Sequence, residues 1–415
     1  MSTLPIDTNL LDPDLMSNNG GPPHTLFDQW RAQEGVHWNS PTEAYRPPPP
    51  NSGVKQGFWL LTRHQDVFDV SRDQERFSSY DGGPVIWDLE EQQLALQQAN
   101  LMGMKPADHA AVKRLVVPSF GHKELSEFYP DVDRVAKEIV DGIASQGQCE
   151  FVFDVASKLP VYTFCTLMGI PESLHQTVFK LGNETADTEN PNRDPAITAQ
   201  MQLLALGAEV ANQKREQPDN SMFSRLINGE VDGEKLDQLT INMFFVTLAI
   251  AGHETTRSTA VHFVRLMNEH PDQFEILMSD LDAHLPNAIE EVLRFSPPVV
   301  KFRRTVTQDT DINGHPVSKG DKIYLSYPAA NRDPAVFEAP HTFDIRRSNA
   351  NKHLAFGTGP HVCLGARLAR YQLTALLKQI YTRIPDISLS GDKEMLKSIW
   401  FYAILNMPVK FTPES

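Results

Sequence analysis

Cys363 has the sequence surroundings best suited to chemistry in this chain. It lies in the stretch Phe356-Gly357-Thr358-Gly359-Pro360-His361-Val362-Cys363-Leu364-Gly365, a glycine-rich loop that is predicted to open into a helix. Backbone N–H groups and the helix dipole at such a position stabilise a thiolate. Because no cysteine or histidine stands beside it at zinc-binding spacing, this thiolate suits the axial position of a haem iron, where it favours cleavage of the O–O bond.

The neighbours of Cys363 decide between two interpretations of the thiol. A lone cysteine in an arbitrary sequence is more often a small buried apolar residue than a ligand. Here Gly359 allows a tight turn, Gly365 lets a backbone approach closely, and Phe356 can pack under a flat ring. These neighbours favour the ligand.

A second constellation, Ala251-Gly252-His253-Glu254-Thr255-Thr256, occupies the middle of a long apolar segment. Glycine inside a helix costs about 1 kcal/mol relative to alanine, so Gly252 indicates that something approaches the backbone there. Thr255 can donate a hydrogen bond to the carbonyl of Ala251 and open the helix locally, which would make room for a diatomic ligand. Glu254 beside it is a carboxylate among apolar neighbours, which is costly unless it is paired or hydrated.

Apolar periodicity predicts the scaffold for these groups, which is mainly α-helical with small β-sheets. A helix over 236–270, ~50 Å long, would carry the second constellation and end before Pro271. Short strands are predicted at 35–38 and 57–62, joined by a loop that contains the prolines 47–50. Residues 1–23 are predicted to form an extended N-terminal arm, and residues 24–415 a single catalytic domain.

Composition and charge exclude several classes of protein. The chain has 415 residues and a formal net charge of −15, which argues against nucleic acid as a partner. Its three cysteines, Cys149, Cys165 and Cys363, are too few for a disulfide framework and fit the reducing cytoplasm. The sequence shows neither a signal peptide nor an apolar segment of about 18 residues, so we expect no membrane anchor.

The cysteine loop resembles the haem-binding signature of the cytochromes P-450, F-x-x-G-x-x-x-C-x-G, at every fixed position, and the resemblance continues over residues 57–411. It implies a single cytochrome P-450-like domain in which a long central helix crosses a haem b. Cys363 would be the axial thiolate ligand of the iron, with Phe356 and Gly365 also contacting the cofactor.

The second constellation resembles the acid–alcohol pair of the same family, A/G-G-x-D/E-T. The resemblance implies that Gly252, Glu254 and Thr255 handle oxygen and protons. Glu254 would relay protons from solvent, and Thr255 would support the oxygen that is being activated. The alternative for an isolated Glu-Thr pair is a solvated helix face. His253 is expected only to adjoin this relay.

Glu291 and Arg294 match the E-x-x-R pair of the family, and their i, i+3 spacing puts both on one helix face. The resemblance implies a structural role, in which the pair locks to a later arginine, either Arg346 or Arg347. The alternative is an exposed ion pair worth less than about 1 kcal/mol.

The resemblance also implies donors for the two haem propionates. Arg304 falls at the position of the family's propionate-binding arginine, and His361 fits a second donor. His109 and Lys113 share a helix face and resemble the family's D-P-P-x-H-x-x-x-R helix, although a lysine replaces the arginine. Either Lys113 or Arg114 is predicted to contact a propionate.

Five mostly apolar stretches are expected to contact the substrate by the same resemblance, which fits a hydrophobic ligand held by shape. The predicted pocket residues are Val85, Ile86, Trp87, Thr247, Ala251, Val299, Val300, Trp400 and Phe401, together with a lid-like region at 179–200. Lys301 could clamp a substrate carboxylate, but a surface lysine is the favoured interpretation. The stretches 81–117 and 324–333 resemble those of family members that act on sterols, terpenes and long-chain lipids, and among these we favour a steroid or terpenoid.

The sequence therefore predicts a monomeric, cytoplasmic haem-thiolate monooxygenase that hydroxylates a hydrophobic small molecule with O2. Electrons would come from a ferredoxin and a ferredoxin reductase on separate chains, since no dinucleotide-binding fingerprint is fused to this one. A basic patch on the cysteine side would attract an acidic ferredoxin; it comprises Lys113, Arg114, Lys123, Arg367 and Arg370. Two alternatives remain. One is a haem-dependent peroxygenase or isomerase, which would not need the pair Glu254–Thr255. The other is a non-catalytic haem-binding sensor, which needs no electron donor.

Overall fold

The computed structural model describes residues 7–40, 57–186 and 194–414, and in these ranges the fold is mainly α-helical. The helices are α1 (Leu15–Asn19), α2 (His24–Gln33), α3 (His64–Arg72), α4 (Glu91–Ala99), α5 (Pro106–Val116), α6 (His122–Asp141), α7 (Lys158–Met168), α8 (His175–Ala186), α9 (Asp194–Glu216), α10 (Met222–Asn228), α11 (Gln238–Glu269), α12 (Pro271–Ser279), α13 (Leu281–Phe295), α14 (Tyr327–Ala330) and α15 (Ala366–Arg383).

The strands are short and form five small sheets within the described ranges, so the predicted fold class is confirmed. They are β1 (Val36–Asn39), β2 (Phe58–Leu61), β3 (Phe77–Ser78), β4 (Gln148–Glu150), β5 (Glu230–Val231), β6 (Glu234–Lys235), β7 (Lys301–Val306), β8 (Thr310–Ile312), β9 (His315–Val317), β10 (Lys322–Ser326), β11 (Ser388–Leu389), β12 (Glu394–Met395), β13 (Ile404–Asn406) and β14 (Pro408–Lys410).

Helix α11 is the axis of the fold, and its bounds lie within the predicted range of 236–270. The side chain of Asp237 caps its first turn by accepting a hydrogen bond from the N–H of Thr240 at 2.9 Å. At its other end Pro271, which cannot continue the hydrogen-bond ladder, opens α12 instead. Buried side chains occupy nearly every face of α11, because α7, α9, α13 and α15 all pack against it.

Two apolar clusters fill the helical part of the molecule, and α11 contributes to both. One contains buried residues of α6, α11, α13 and α15, and the other contains buried residues of α5, α7, α9, α10 and α11. Among the helices of the described ranges, none is both long and apolar enough to cross a bilayer.

The largest sheet has the order β1-β2-β10-β7-β3, and its strand β7 supports the site described below. Strand β10 is parallel to β2 and antiparallel to β7. Successive side chains of a strand point to opposite faces. In β7, Phe302 and Arg304 therefore share one face, and Lys301 and Arg303 share the other. The predicted strands at 35–38 and 57–62 correspond to β1 and β2, and the prolines 47–50 lie outside the described residues.

The described part of the N-terminal segment differs from the predicted extended arm. Residues 15–19 form α1, which ends at Gly20 in the left-handed conformation with φ 70°. Leu10, Leu11 and Leu15 are buried in one apolar cluster with Trp30. The prediction of an extended arm is wrong for residues 7–23, because a few leucines anchor this segment although its overall composition is polar. The assignment of residues 24–415 to one domain stays a prediction.

Candidate active site

Cys363 lines a cavity of about 260 Å³ between α11 and the start of α15. Its loop turns at Gly357 and Gly359, which have φ 66° and 70° and so need glycine. The N–H of Cys363 donates to the carbonyl of Phe356 at 2.9 Å. Cys363 is exposed towards the cavity, yet desolvation by the protein around it raises the pKa of its thiol, and the N–H of Gly365 opposes this shift by donating to the sulfur. The loop thus directs a thiolate-stabilising set of N–H groups at a sulfur that faces the cavity.

One face of α11 forms the opposite wall of the cavity. Its lining residues recur at helical spacing and are Thr247, Leu248, Ala251, Gly252, Thr255, Thr256 and Thr259. A Cβ added at Gly252 would meet no atom within 4 Å, so the space in front of this glycine is open. The hydroxyl of Thr255 donates to the carbonyl of Ala251 at 2.7 Å, as the sequence predicts.

Glu254 lies off this wall. It is 1% exposed, its carboxylate forms an ion pair with Arg257, and it accepts a hydrogen bond from Ser258 at 2.9 Å. His253 is also buried, and burial together with Arg257 lowers its pKa well below the usual value. The structure therefore brings Gly252 and Thr255 to the cavity and places Glu254 behind them.

The predicted propionate donors converge at one edge of the cavity. His109, Lys113, Arg304 and His361 all line it, and the two imidazole rings lie 4.3 Å apart. The ammonium of Lys113 donates to the carbonyl of Pro360 at 2.6 Å. Nε of Arg304 is buried without a hydrogen-bond partner among the described residues. Arg114 is exposed and does not line the cavity.

This donor set fits a haem. Two cations and two histidines face the cavity, and the described residues that line it include no carboxylate. Burial and the cations lower the pKa of His109 to about 4 and that of His361 to about 2. Enclosed positive charge without a counter-charge is costly, so the site favours an anionic occupant. The two carboxylates of a haem would supply that charge while Cys363 binds the iron.

Glu291 and Arg294 form a fully buried pair below the cysteine loop. Both side chains are 0% exposed, and two N–O contacts of 2.7 Å join them. Nε of Arg347 lies 3.3 Å from Glu291, and its side chain is 9% exposed. Arg346 is 61% exposed and contacts Asp344 instead. Of the two arginines that the sequence left open, the structure brings Arg347 to the pair.

Only part of the predicted substrate pocket lines the cavity. Thr247, Ala251 and Val299 do so; Val85, Ile86, Trp87, Val300, Trp400 and Phe401 do not. Ile86 belongs to the apolar cluster around Tyr324, and Val300 packs against Met16 and Tyr402. The segment 85–87 covers the sheet rather than the cavity, and a contact of these six residues with the substrate stays a prediction.

Trp400 lies behind the cavity wall, and the prediction of a surface position for Lys301 is wrong. The Trp400 ring packs edge-on against Phe302, with ring centres 5.2 Å apart, and thus stands behind a lining residue. Lys301 is 0% exposed and donates to the carbonyl of Ile399. Its ammonium also lies 5.5 Å from the centre of the Tyr324 ring. Lys301 is buried because the terminal segment around residue 399 covers this face of β7.

Several lining residues were missed by sequence reasoning. They are Leu101, Met102, Phe164, Leu167, Met222, Phe302 and Tyr327, among others. Strand alternation could have identified Phe302, because it lies two residues before Arg304 in β7. Leu101 and Met102 belong to the stretch 81–117, from which Val85, Ile86 and Trp87 were chosen instead. Phe164 and Met222 come from α7 and α10, and nothing in their local sequence indicates a role in the cavity.

The predicted basic patch is smaller than expected. Arg114, Lys123 and Arg367 are exposed. Lys113 is held by the carbonyl of Pro360, and Arg370 pairs with Glu290 at 2.6 Å. Three of the five cations therefore remain available to a partner.

Comparisons with known proteins find similar sequences and a similar fold. A family model described as cytochrome P-450 matches residues 174–383. A steroid C26-monooxygenase of Mycolicibacterium smegmatis is 32% identical, covering 99% of this chain and 95% of that protein. A methyl-branched lipid omega-hydroxylase of Mycobacterium tuberculosis is 33% identical, covering 86% of this chain and 84% of that protein. A solved Mycobacterium marinum cytochrome P-450 in complex with pseudoionone is 32% identical and superposes with a TM-score of 0.89, covering 99% of this chain and 100% of that one.

Proposed function

The chain belongs to the cytochrome P-450 family and is a haem-thiolate monooxygenase, and from this premise we propose that it hydroxylates the end of a branched aliphatic chain in a steroid or terpenoid. The family implies a hydrophobic substrate and redox partners. The exact class of substrate and the ferredoxin are our proposals.

The apolar character of the cavity carries the proposal. Away from the cysteine and the propionate donors, the lining is dominated by apolar side chains, including Leu101, Phe164, Leu167, Leu248 and Val299. The charged side chains that line it, Lys113 and Arg304, lie at the edge assigned to the propionates. A ligand in the remaining space would be bound by shape and by burial of apolar area.

The names of the relatives favour attack at a chain end. One is a steroid C26-monooxygenase, and C26 is a terminal methyl group of a steroid side chain. Another is an omega-hydroxylase of methyl-branched lipids, and a third was solved with pseudoionone. Of these ligands only the steroid has rings, so we infer that the shared feature, a branched apolar chain, is what enters the cavity first.

Different residues of the chain are assigned to haem binding and to proton transfer. When bound, the haem supplies the activation of O2 and the insertion of one oxygen atom into a C–H bond. Cys363 provides the thiolate, and the four donors at the cavity edge orient the group. Thr255 presents its hydroxyl at the cavity. Glu254 is held behind it by Arg257 and Ser258, so we assign Glu254 to the solvent side of the proton path and Thr255 to its cavity end.

We propose that a ferredoxin docks on the cysteine side. Arg114, Lys123 and Arg367 are exposed there, and Val117 and Val362 expose 44% and 43% of their surface beside them. Lys123 comes shortly after Phe120 in the sequence, and Arg367 comes shortly after Val362. Because both Phe120 and Val362 line the cavity, the two segments meet near the cofactor site. A basic rim with an apolar centre fits a small acidic partner. The three cysteines form no disulfide, which favours our proposal of a reducing, cytoplasmic location.

Charge reversal tests the docking surface. Arg367→Glu and Lys123→Glu are expected to slow reduction by a ferredoxin at low salt by about tenfold or more, and added salt should reduce the difference. Lys410→Glu, on the distant strand β14, is the matched control. If all three variants are reduced equally fast, the proposed surface is wrong.

An optical titration tests the substrate class. The purified haem protein is titrated with cholest-4-en-3-one and with androst-4-en-3-one, which has the same rings without the branched side chain. A second pair compares phytanic acid with palmitic acid. We expect a saturable shift of the haem from low to high spin with the branched member of each pair. Turnover with a ferredoxin and its reductase, followed by mass spectrometry, should then give a terminally hydroxylated product.

Other outcomes separate the parts of this proposal. A shift with androst-4-en-3-one but not with the side-chain steroid would overturn entry by the chain end. A shift only with straight-chain or small aromatic compounds would overturn the steroid or terpenoid class and leave the family assignment intact.

A further inference from the structure

The segment 82–104 reaches the cavity only at its far end. Leu101 and Met102 line the cavity, and α4 separates them from Asp88. The first half of the segment crosses strands β7 and β10, away from the cofactor site. What holds this first half therefore determines where Leu101 and Met102 lie.

Asp88 is bound by two cations of the sheet. Its carboxylate lies 3.2 Å from Nη1 of Arg303 and 2.7 Å from Nζ of Lys322. The three side chains are 5–8% exposed. The two cations belong to neighbouring strands, since Lys322 opposes Thr305 in the register of β10 with β7. Asp88 thus pins the residues that precede α4 to the middle of the largest sheet.

Arg303 extends this contact to the backbone of the segment. The backbone N–H of Arg303 donates to the carbonyl of Pro84 at 2.9 Å, and its guanidinium donates to the carbonyl of Trp87 at 3.2 Å. A Cβ added at Gly82 would collide with Nη2 of Arg303. Residues 82–88 therefore wrap one guanidinium, and glycine at 82 allows the close approach.

The carboxylate of Asp88 is the negative charge that compensates Arg303 and Lys322 in this buried cluster. Burial lowers the pKa of both Arg303 and Lys322, and the carboxylate of Asp88 opposes the shift in each case. Removing a carboxylate from a buried pair leaves uncompensated charge, which costs far more than the pair itself contributes. Here two buried cations would lose the same partner.

We propose that Asp88 is a positioning residue: by fixing the first half of the segment 82–104 to the sheet, it holds Leu101 and Met102 at the cavity wall and so controls how bulky ligands enter. Arg303 lies next to Arg304 in β7, on the opposite face. One strand therefore carries both the anchor of this segment and a donor assigned to the haem. The proposal depends on the assignment of a haem to this cavity and not on the identity of the substrate.

The test compares Asp88→Asn with the wild-type haem protein. Hydrogen exchange should become faster in residues 82–104 and stay unchanged in α11. The association and dissociation rate constants of 4-phenylimidazole, followed by the haem spectrum, should each rise about tenfold. Those of imidazole, which is small enough to pass without displacing the segment, should change by less than about twofold. These readouts require no turnover and no natural substrate.

Further variants separate positioning from stability. Asp88→Glu keeps the carboxylate and should restore the wild-type rates. Asp88→Asn combined with Lys322→Met keeps the net charge of the cluster at +1, as in the wild type (one negative and two positive charges), yet removes the anchor. It should fold and still show the faster rates. Asp141→Asn removes an exposed carboxylate that also has two cationic partners, Lys137 and Arg383, and should leave ligand binding unchanged.

The proposal is overturned if the exchange of residues 82–104 and the 4-phenylimidazole rates stay at wild-type values in a folded variant without the Asp88 carboxylate. It is also overturned if exchange increases equally over α6 and α15, which would indicate general destabilisation. In both cases an intact haem-thiolate spectrum would leave the proposed function standing.

Discussion

The cysteine side and the substrate side of the cavity are built by different kinds of contact. On the cysteine side, one continuous loop presents Cys363, and the pair Glu291–Arg294 comes from a single helix turn. On the substrate side, lining residues come from α7, α10, α11 and β7, and residues far apart in sequence hold them, such as Asp88 and Arg303. The catalytic groups of this fold are therefore positioned by local sequence, whereas ligand selection depends on long-range contacts that can vary independently.

Breaking the buried pair on the cysteine side should have the largest effect. Glu291→Gln leaves Arg294 and Arg347 without their carboxylate in a fully buried site, and we expect a loss of about 3–5 kcal/mol in the free energy of unfolding together with poor haem retention. Urea titration of the haem protein measures this loss. Arg346→Ala is the control and should change stability by less than about 0.5 kcal/mol, since Arg346 is mostly exposed. If Glu291→Gln changes the free energy of unfolding only slightly, the pair Glu291–Arg294 is a weak ion pair instead.

Helix α11 borders both the cysteine side and the substrate side of the cavity, and two of its threonines offer a matched comparison. Thr255 and Thr259 both line the cavity, and each donates to the carbonyl four residues earlier. Thr255 follows Glu254 and lies one turn from the open space at Gly252. Thr255→Ala should lower the fraction of electrons that appears in product severalfold, with peroxide as the by-product, whereas Thr259→Ala should retain most of the coupling. Equal coupling in the two variants would contradict the role given to Thr255 and would favour a peroxygenase or isomerase.

The substrate side should respond to acid through His262, which connects α11 to the terminal segment. Its ring lies 2.9 Å from the carbonyl of Tyr402, and burial and Arg265 lower its pKa to about 3. The unfolded chain binds a proton at this histidine below about pH 6.5, whereas the folded protein does not until about pH 3. His262 therefore lowers the free energy of unfolding by about 1.4 kcal/mol per pH unit as the pH falls through this window.

Urea midpoints of the wild type and His262→Gln between pH 7 and 5 isolate this contribution. The variant should show a shallower loss of stability than the wild type. Parallel curves would mean that the imidazole is protonated in the folded state, and the anchor of the terminal segment would then be charged.

The smallest effects should come from two neighbouring valines, one of which lines the cavity while the other packs in the layer behind it. Val299 lines the cavity, and Val300 packs against Met16 and Tyr402. Val299→Ala should change the dissociation constant of a bound steroid by about tenfold or less, with little change in stability. Val300→Ala should lower the free energy of unfolding by about 1 kcal/mol and leave ligand affinity unchanged. The reverse result would place the substrate beside Val300.

The same contrast explains what the sequence could predict. The cysteine loop, the bounds of α11 and the pairing of Glu291 with Arg294 depend on residues close in sequence, and their spacing is enough to identify them. The burial of Lys301, the orientation of Val300 and the packing of residues 7–23 depend on segments that are distant in the sequence. Asp88 is an extreme case, because a single aspartate in a loop gives no sign that two strands of the sheet will supply its cations.

The central claim is that Cys363 is the thiolate ligand of a haem, and the absorption spectrum of the reduced, carbon monoxide-bound protein tests it most directly. We predict the strongly red-shifted Soret band of thiolate ligation in the wild type and its loss in Cys363→Ser. An imidazole-type spectrum in the wild type would contradict the account. So would a thiolate spectrum that persists in Cys363→Ser, since Cys149 or Cys165 would then have to be the ligand.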